Sequence, residues 1–139
     1  MARAQGPSLR VAHGVREQRL DLRFSADDLL AVRGGVEAYA SELGPRELVE
    51  DVVLVVYELA TNAVRHGGGY GRLNLWRENN RFVLRVSDDG PGLADPQAGM
   101  EPPGPNMSGG RGLWIARRLS ALNIDTGPCG TTVTAAMPS

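Results

Sequence analysis

Lysine is absent from this chain: all 15 of its Lys and Arg positions are arginine. With no lysine there is no catalytic amine and no lysine to cradle phosphate, which excludes the Walker-type P-loop and the protein-kinase lysine. Cysteine is reduced to Cys129, so an internal disulfide and a cysteine-based zinc site are excluded as well. Cys129 stands in Gly-Pro-Cys-Gly with no base or cation beside it to activate a thiolate, and it reads as structural. Aromatic residues make up 5% of the chain; Trp76 and Trp114 are too far apart to suggest a base-stacking platform. The apolar run Val52 to Ala60 is too short for a membrane span and is broken by Glu58. Arg3 and Arg10 are followed by no apolar h-region that would signal secretion. A net charge of −1 lacks the positive surplus that phosphate backbones attract. The expectation is a cytoplasmic protein whose partners include neither membrane nor nucleic acid.

The remaining composition, 139 residues of which 42% are hydrophobic and 22% charged, is that of one soluble domain with its own core. Residues 1–17, a mixture of Gly, Pro, Arg and small side chains, are expected to form a flexible N-terminal arm, leaving 18–139 as the domain. Leu20, Leu22 and Phe24 alternate with Asp21 and Arg23 as a half-buried strand does. Ser25 and Asp28 suggest a capping box opening a helix to about Leu43, stopped by Gly44-Pro45. Gly34-Gly35 inside it suggests a close helix contact. A second helix is expected over Arg46–His66, where Leu48, Val52, Val55, Val56, Leu59 and Ala63 recur at helical spacing, and Gly67-Gly68-Gly69 ends it. Two alternating runs around Leu73–Leu75 and Phe82–Val86, joined at Asn79-Asn80, predict a hairpin. Residues 90–110 hold most of the Pro and Gly and read as a long functional loop. Leu113, Ile115, Ala116, Leu119 and Leu122 mark a third helix, and Thr131, Val133, Ala135 and Met137 a last strand.

Three segments carry chemistry. Glu58, Asn62 and His66 recur every four residues and so share one stripe of an otherwise apolar helix. An acid and an amide there need specific partners. The Asn62 oxygen is a hard ligand suited to Mg²⁺, and Glu58 is placed to polarise an attacking water or hydroxyl. Taken alone, the stripe equally fits a helix end facing solvent. Asp88 ends an apolar strand and is followed by Gly90 and Gly92, so its carboxylate is placed to accept a hydrogen bond from an exocyclic amine, selecting adenine over guanine; a plain strand-ending turn fits the same residues. Gly109-Gly110-Arg111-Gly112-Leu113 precedes the third helix, whose free amides and dipole favour an anion, with Arg111 adding charge. A flexible glycine hinge is the other reading of that segment.

Together the segments resemble a known family. Glu58 to Gly67 resembles the N-box, Asp88 to Gly92 the G1-box and Gly110 to Leu113 the G2-box of GHKL ATPases, which include gyrase-type and histidine-kinase ATP-binding domains. Gly130-Thr131 is similar to the weaker G3 element, and the resemblance spans roughly residues 18–137. It implies an α/β (α+β) two-layer sandwich: a mixed, mostly antiparallel sheet with about three helices on one face. Within that group, Leu54-Val-Val-Tyr-Glu58-Leu-Ala-Thr-Asn62-Ala-Val-Arg-His66-Gly67 looks most like the anti-sigma-factor serine/threonine kinases of partner-switching systems.

That likeness implies ATP and Mg²⁺ as cofactors, Glu58 as base, Asn62 as the Mg²⁺ ligand, and adenine contacts from Asp88 directly and from Thr131 through water. It further implies that Arg65 and His66 lie near the nucleotide, that Gly90, Gly92, Gly110, Arg111, Gly112 and Leu113 shape its pocket, and that 93–109 form a lid. The lid departs from the family in being rich in Pro and poor in charge. The implied partners are a sigma factor and an antagonist protein, and a homodimer through the N-terminal strand or first helix is compatible with the resemblance. Two readings stay open: a kinase that phosphorylates the antagonist, and an ATP-holding module that sequesters its partner with little or no transfer. A histidine kinase is disfavoured, since no long helix surrounds His13.

Overall fold

A nine-residue strand, Tyr70–Glu78, and an eight-residue strand, Arg81–Asp88, form the middle of a sheet whose one side is covered by helices. The computed structural model describes residues 8–11, 18–92 and 111–138. The elements are β1 (Ser8–Val11), β2 (Gln18–Ser25), a 3₁₀ turn (Ala26–Asp28), α1 (Leu29–Ser41), α2 (Arg46–His66), β3 (Tyr70–Glu78), β4 (Arg81–Asp88), α3 (Arg111–Leu119), β5 (Ala121–Gly127) and β6 (Gly130–Ala136). The strand order is β1-β2-β3-β4-β6-β5. The core is one cluster in which Leu20, Leu22, Phe24, Leu73, Leu75, Leu84, Val86, Val133 and Ala135 of the sheet meet the inner faces of the three helices. The expected α+β two-layer sandwich is therefore the fold, and it sets the helical N-box stripe above the ends of β4 and β6.

The local reasons are legible in the chain. At the end of β2 the Ser25 N–H donates to the Asp28 carboxylate at 2.9 Å, one half of the capping box. Helix α1 then buries Val32, Val36, Tyr39 and Ala40, and its last turn tightens as the Leu43 and Gly44 N–H groups both donate to the Ala40 carbonyl. It ends at Ser41, short of Leu43. Gly34 lies off the buried stripe, with nothing within 4 Å of where its β-carbon would stand, so the helix contact expected at Gly34-Gly35 is absent at Gly34. The close approach is made by Gly44, where a β-carbon would stand 2.9 Å from the Phe82 ring. Phe82 is fully buried beside the Tyr39 ring, centroids 6.5 Å apart in an edge-on arrangement, a burial worth about 1.5–3 kcal/mol. Helix α2 has the expected bounds and buries Val49, Val52, Val55, Val56, Leu59, Ala60 and Ala63. Asn79 and Asn80 both have positive φ, 55° and 64°, which makes the β3–β4 connection the two-residue turn that matches strand twist.

Three expectations are corrected. The sheet is not mixed: every pairing among the described residues is antiparallel. Strands β4 and β5, joined through α3, run in the same direction, but β6 inserts between them, so no parallel ladder forms. Within the expected arm, Ser8–Val11 is β1, paired with β2 from Ser8↔Asp21 to Val11↔Gln18; its four residues alternate polar and apolar, too short a signal to stand out among Gly, Pro and Arg. Residues 1–7 and 12–17 lie outside the described set. Leu122 belongs to β5, not to the third helix, which stops at Leu119. Ser120 closes that helix by donating its hydroxyl to the Ala116 carbonyl at 2.6 Å. No described helix is long and apolar enough to cross a membrane.

Candidate functional site

Where the C-terminal half of α2 crosses the ends of β4 and β6, a narrow cleft is lined by Leu59, Asn62, Ala63, His66, Val86, Asp88, Gly92, Thr131 and Val133. Its walls are aliphatic and its polar groups few, the usual make-up of a site for a flat organic ligand. Asn62 and His66 reach it from the helix because they stand one turn apart on the same stripe. Asp88 reaches it from the last position of β4, where it pairs with Thr131 of β6. Wider depressions exist elsewhere, one between α1 and α2 around Tyr57 and one at the ends of β2 and β3 around Tyr70. The second of these shares Asp88 with the cleft, but neither gathers the motif residues.

Asp88 is held in place by its surroundings. The Gly90 N–H donates to Asp88 Oδ1 at 2.9 Å, a bond to a charged acceptor that sets the carboxylate's orientation. The second oxygen faces Gly67, where a β-carbon would stand 2.4 Å from Oδ2. Gly67 and Gly90 also touch each other, since a β-carbon on Gly90 would lie 2.5 Å from the Gly67 Cα. Bare backbone on both sides is thus what keeps the carboxylate open to the cleft. Gly92 has φ 95° and its β-carbon would lie 2.3 Å from the Gly127 carbonyl oxygen, so the turn after β4 closes directly onto the end of β5. Thr131 is buried at 6% exposure and its hydroxyl lies 2.8 Å from that of Thr126.

Glu58 lies one turn before Asn62 and is half-buried. A β-carbon on Gly112 would stand 2.9 Å from Glu58 Oε1, so the carboxylate rests on the first turn of α3, where free N–H groups and the helix dipole favour negative charge. Leu113 is buried at 2% exposure and anchors that turn in the core. Arg111 is the first residue of α3. Arg65 is exposed and does not line the cleft, because it stands one position off the stripe. Asp89 is exposed, as a turn residue is. Trp114 is half-buried with the Arg118 guanidinium 5.1 Å from its ring centre. Gly110, the expected lid 93–109 and His13 lie outside the described residues. Thr126, Gly67 and the aliphatic walls Leu59, Ala63, Val86 and Val133 were not singled out in the sequence as site residues. The alternation of Leu122, Ile124 and Thr126 was the available signal for the first.

The sequence model of the family described as "Histidine kinase-like ATPase domain" matches residues 22–137. The chain belongs to that family. Among curated proteins it is similar to an anti-sigma F factor of Clostridium acetobutylicum, 33% identical over 93 residues, and to the signal transduction histidine-protein kinase AfsQ2 of Streptomyces coelicolor, 39% identical over 72 residues. The first match covers 62% of this chain and 65% of the relative, the second 52% of this chain and 12% of the relative. The matched part therefore falls short of two thirds of either protein. Among solved structures, the histidine kinase domain of the Erythrobacter litoralis EL346 blue-light activated histidine kinase superposes with a TM-score of 0.54 at 23% identity, over 79% of this chain and 60% of that one. Acinetobacter baumannii histidine kinase AdeS gives 0.52 at 15% identity, over 84% and 66%. These two likenesses are of fold. In this histidine kinase-like ATPase domain the first two motif segments thus sit on a helix face and a strand end around one cleft, while the described part of the third, residues 111–113, starts α3 against Glu58.

Proposed function

We propose that this domain binds ATP with Mg²⁺ and acts in the cytoplasm as a regulatory serine/threonine kinase, transferring the γ-phosphate to an antagonist protein in a partner-switching system with a sigma factor. The observation that carries the reading is the oriented Asp88 carboxylate at one end of an aliphatic cleft, with Glu58 on the first turn of α3. In this reading an adenine ring occupies the cleft, its exocyclic amine donating to Asp88 and the Thr131 hydroxyl making a water-bridged contact. Asn62 would hold Mg²⁺ together with phosphate oxygens and water, and the ion would neutralise charge on the triphosphate. Among the described residues no three His, Cys, Asp or Glu side chains form a metal cluster. The G2 glycines Gly110 and Gly112, with Arg111, would face the phosphates.

In the transfer step the acceptor hydroxyl oxygen attacks the γ-phosphorus and the bond to the bridging β–γ oxygen breaks. ADP leaves, and Glu58 takes the hydroxyl proton. The likeness to an anti-sigma F factor supports a sigma factor and its antagonist as partners. A homodimer through β2, the first strand read from the sequence, or through α1 belongs to the same reading. The test is label transfer from γ-labelled ATP to serine or threonine of candidate antagonist proteins, together with ATP titration. Glu58→Ala is expected to slow transfer by about 10²-fold or more, the usual worth of a general base, while ATP affinity stays within about threefold. Wild-type protein that binds ATP yet labels no antagonist would leave the sequestering module as the function.

A further inference from the structure

The side of the sheet away from α1, α2 and α3 has a composition that a merely solvated face does not require. By register it carries Arg19, Asp21 and Arg23 of β2, Arg72, Asn74, Trp76 and Glu78 of β3, and Arg81, Val83, Arg85 and Ser87 of β4. It continues through Thr132, Thr134 and Ala136 of β6 to Ala121, Asn123 and Asp125 of β5. Arg19, Arg23, Arg72, Arg81 and Arg85 are all exposed, in a chain whose overall charge is −1. Two of the three acids are already engaged. Asp21 takes Arg72 in a two-bond pair, Nε–Oδ1 3.0 Å and Nη2–Oδ2 2.8 Å, whose hydrogen bond and charge raise the proton affinity of Arg72 above its ordinary value. Glu78 accepts the Trp76 indole N–H at 2.9 Å. Among the described residues no carboxylate pairs with Arg19, Arg23 or Arg85.

The centre of the face is apolar. Trp76 pairs with Val83, Val83 with Ala136 and Ala136 with Ala121, a continuous row across four strands. Trp76 is buried to 8% exposure, with Arg19 and Arg85 lying 4.5 and 5.4 Å from its ring centre. A guanidinium stacked on a ring keeps its N–H edge free for carboxylates. An apolar row, rimmed by arginines that a buried tryptophan holds in place and whose forks are unspent, has the make-up of a protein interface, where Arg is enriched. Nucleic acid fits less well, since Trp76 is covered by its two arginines and Asp21, Glu78 and Asp125 lie within the face.

We propose that this open sheet face, on the opposite side from the helices, docks an acidic segment of a protein partner, whose carboxylates meet Arg19, Arg23 and Arg85 while an apolar side chain meets the accessible Val83–Ala136–Ala121 part of the row. The inference does not depend on phosphoryl transfer or on the nucleotide reading. Full-length protein is titrated at physiological salt with a labelled twelve-residue peptide alternating Glu with Leu and Phe. The comparators are its Gln-for-Glu counterpart and a twelve-nucleotide single-stranded DNA, and anisotropy and sedimentation are recorded. Saturable binding of the Glu peptide is expected, weakened at least tenfold in Arg19→Glu/Arg85→Glu and at least threefold in Arg23→Glu. Arg23→Glu leaves the Trp76 stack intact and so separates docking from folding. Arg46→Glu, on α2 at the helical side, is expected to bind as wild type does. Equal binding of the Gln peptide, DNA binding as tight as the Glu peptide, or wild-type affinity in both face variants overturns the proposal. So does a wild-type dimer that ignores the peptide and dissociates in Arg23→Glu, which would make the occupant a second copy of the chain.

Discussion

Asp88→Asn is expected to weaken ATP binding at least 100-fold, roughly 2.8 kcal/mol, while shifting the melting temperature by less than about 2 °C. The two halves of this result have one cause. The Gly90 N–H already occupies Asp88 Oδ1, so an asparagine keeps that bond by placing its only carbonyl oxygen there, and the local turn survives. The other branch then becomes an amide NH₂ that, in the proposed reading, meets the exocyclic amine of adenine, donor against donor. A hydrogen bond to a charged acceptor worth about 1.5–3 kcal/mol is lost and an unpaired polar contact is added. The same NH₂ is a suitable donor for the carbonyl of guanine, so the ratio of GTP to ATP affinity is expected to rise in the variant. Titration calorimetry with both nucleotides, beside a thermal melt, checks all three statements; unchanged ATP affinity in a folded variant contradicts the assignment of Asp88.

Gly90→Ala is expected to damage fold and binding together. Its β-carbon would meet the Gly67 Cα at 2.5 Å and the Gly67 carbonyl carbon at 2.6 Å, and backbone on backbone leaves no flexible side chain to move aside. Either the end of β4 or the end of α2 must shift, an overpacking cost of about 1–3 kcal/mol or more. For a domain of this size that lowers the melting temperature by several degrees, at about 2–8 °C per kcal/mol. Any such shift also moves the N–H that orients Asp88, so nucleotide affinity should fall in parallel, unlike in Asp88→Asn. Gly34→Ala is the matched comparison: it sits in α1 with nothing within 4 Å of its β-carbon and should leave stability unchanged or raise it by up to about 1 kcal/mol. Urea denaturation of the three proteins distinguishes the cases. A Gly90→Ala protein as stable as wild type would show that the contact with Gly67 is not tight.

Sequence patterns foretold the fold best where one period ran long enough to outweigh its surroundings. Twenty-one residues of α2 repeat an apolar stripe without interruption, and Asn79-Asn80 between two alternating runs admits one kind of turn. Strand β5 was hidden because Leu119 and Leu122 continue the helical spacing of α3, and the Ser120 hydroxyl bond that ends the helix is a tertiary outcome. Strand β1 has four residues and acquires meaning only beside β2. In the site, Asn62, His66, Asp88 and Thr131 were findable from spacing and from family likeness, and they line one cleft. Arg65 was carried along by the motif string, yet the helical rotation of one position sends it to solvent. What could not be read was which glycines press on which groups: Gly67 against Asp88, Gly112 against Glu58 and Gly92 against Gly127 each join segments far apart in the chain. Likewise, nothing local to β2, β3 or β4 announced that Arg19 and Arg85 would cover Trp76.

The central claim is that the cleft between α2 and the ends of β4 and β6 is an adenine-selective nucleotide site. The most direct measurement is calorimetric titration of wild-type protein with ATP, ADP and GTP in the presence of Mg²⁺. ATP and ADP are expected to bind with comparable affinity, because the ring contact at Asp88 is common to both, and GTP at least 100-fold more weakly, because the guanine carbonyl would face the Asp88 carboxylate. Equal affinity for ATP and GTP, or no binding of ATP at millimolar concentration, would contradict it.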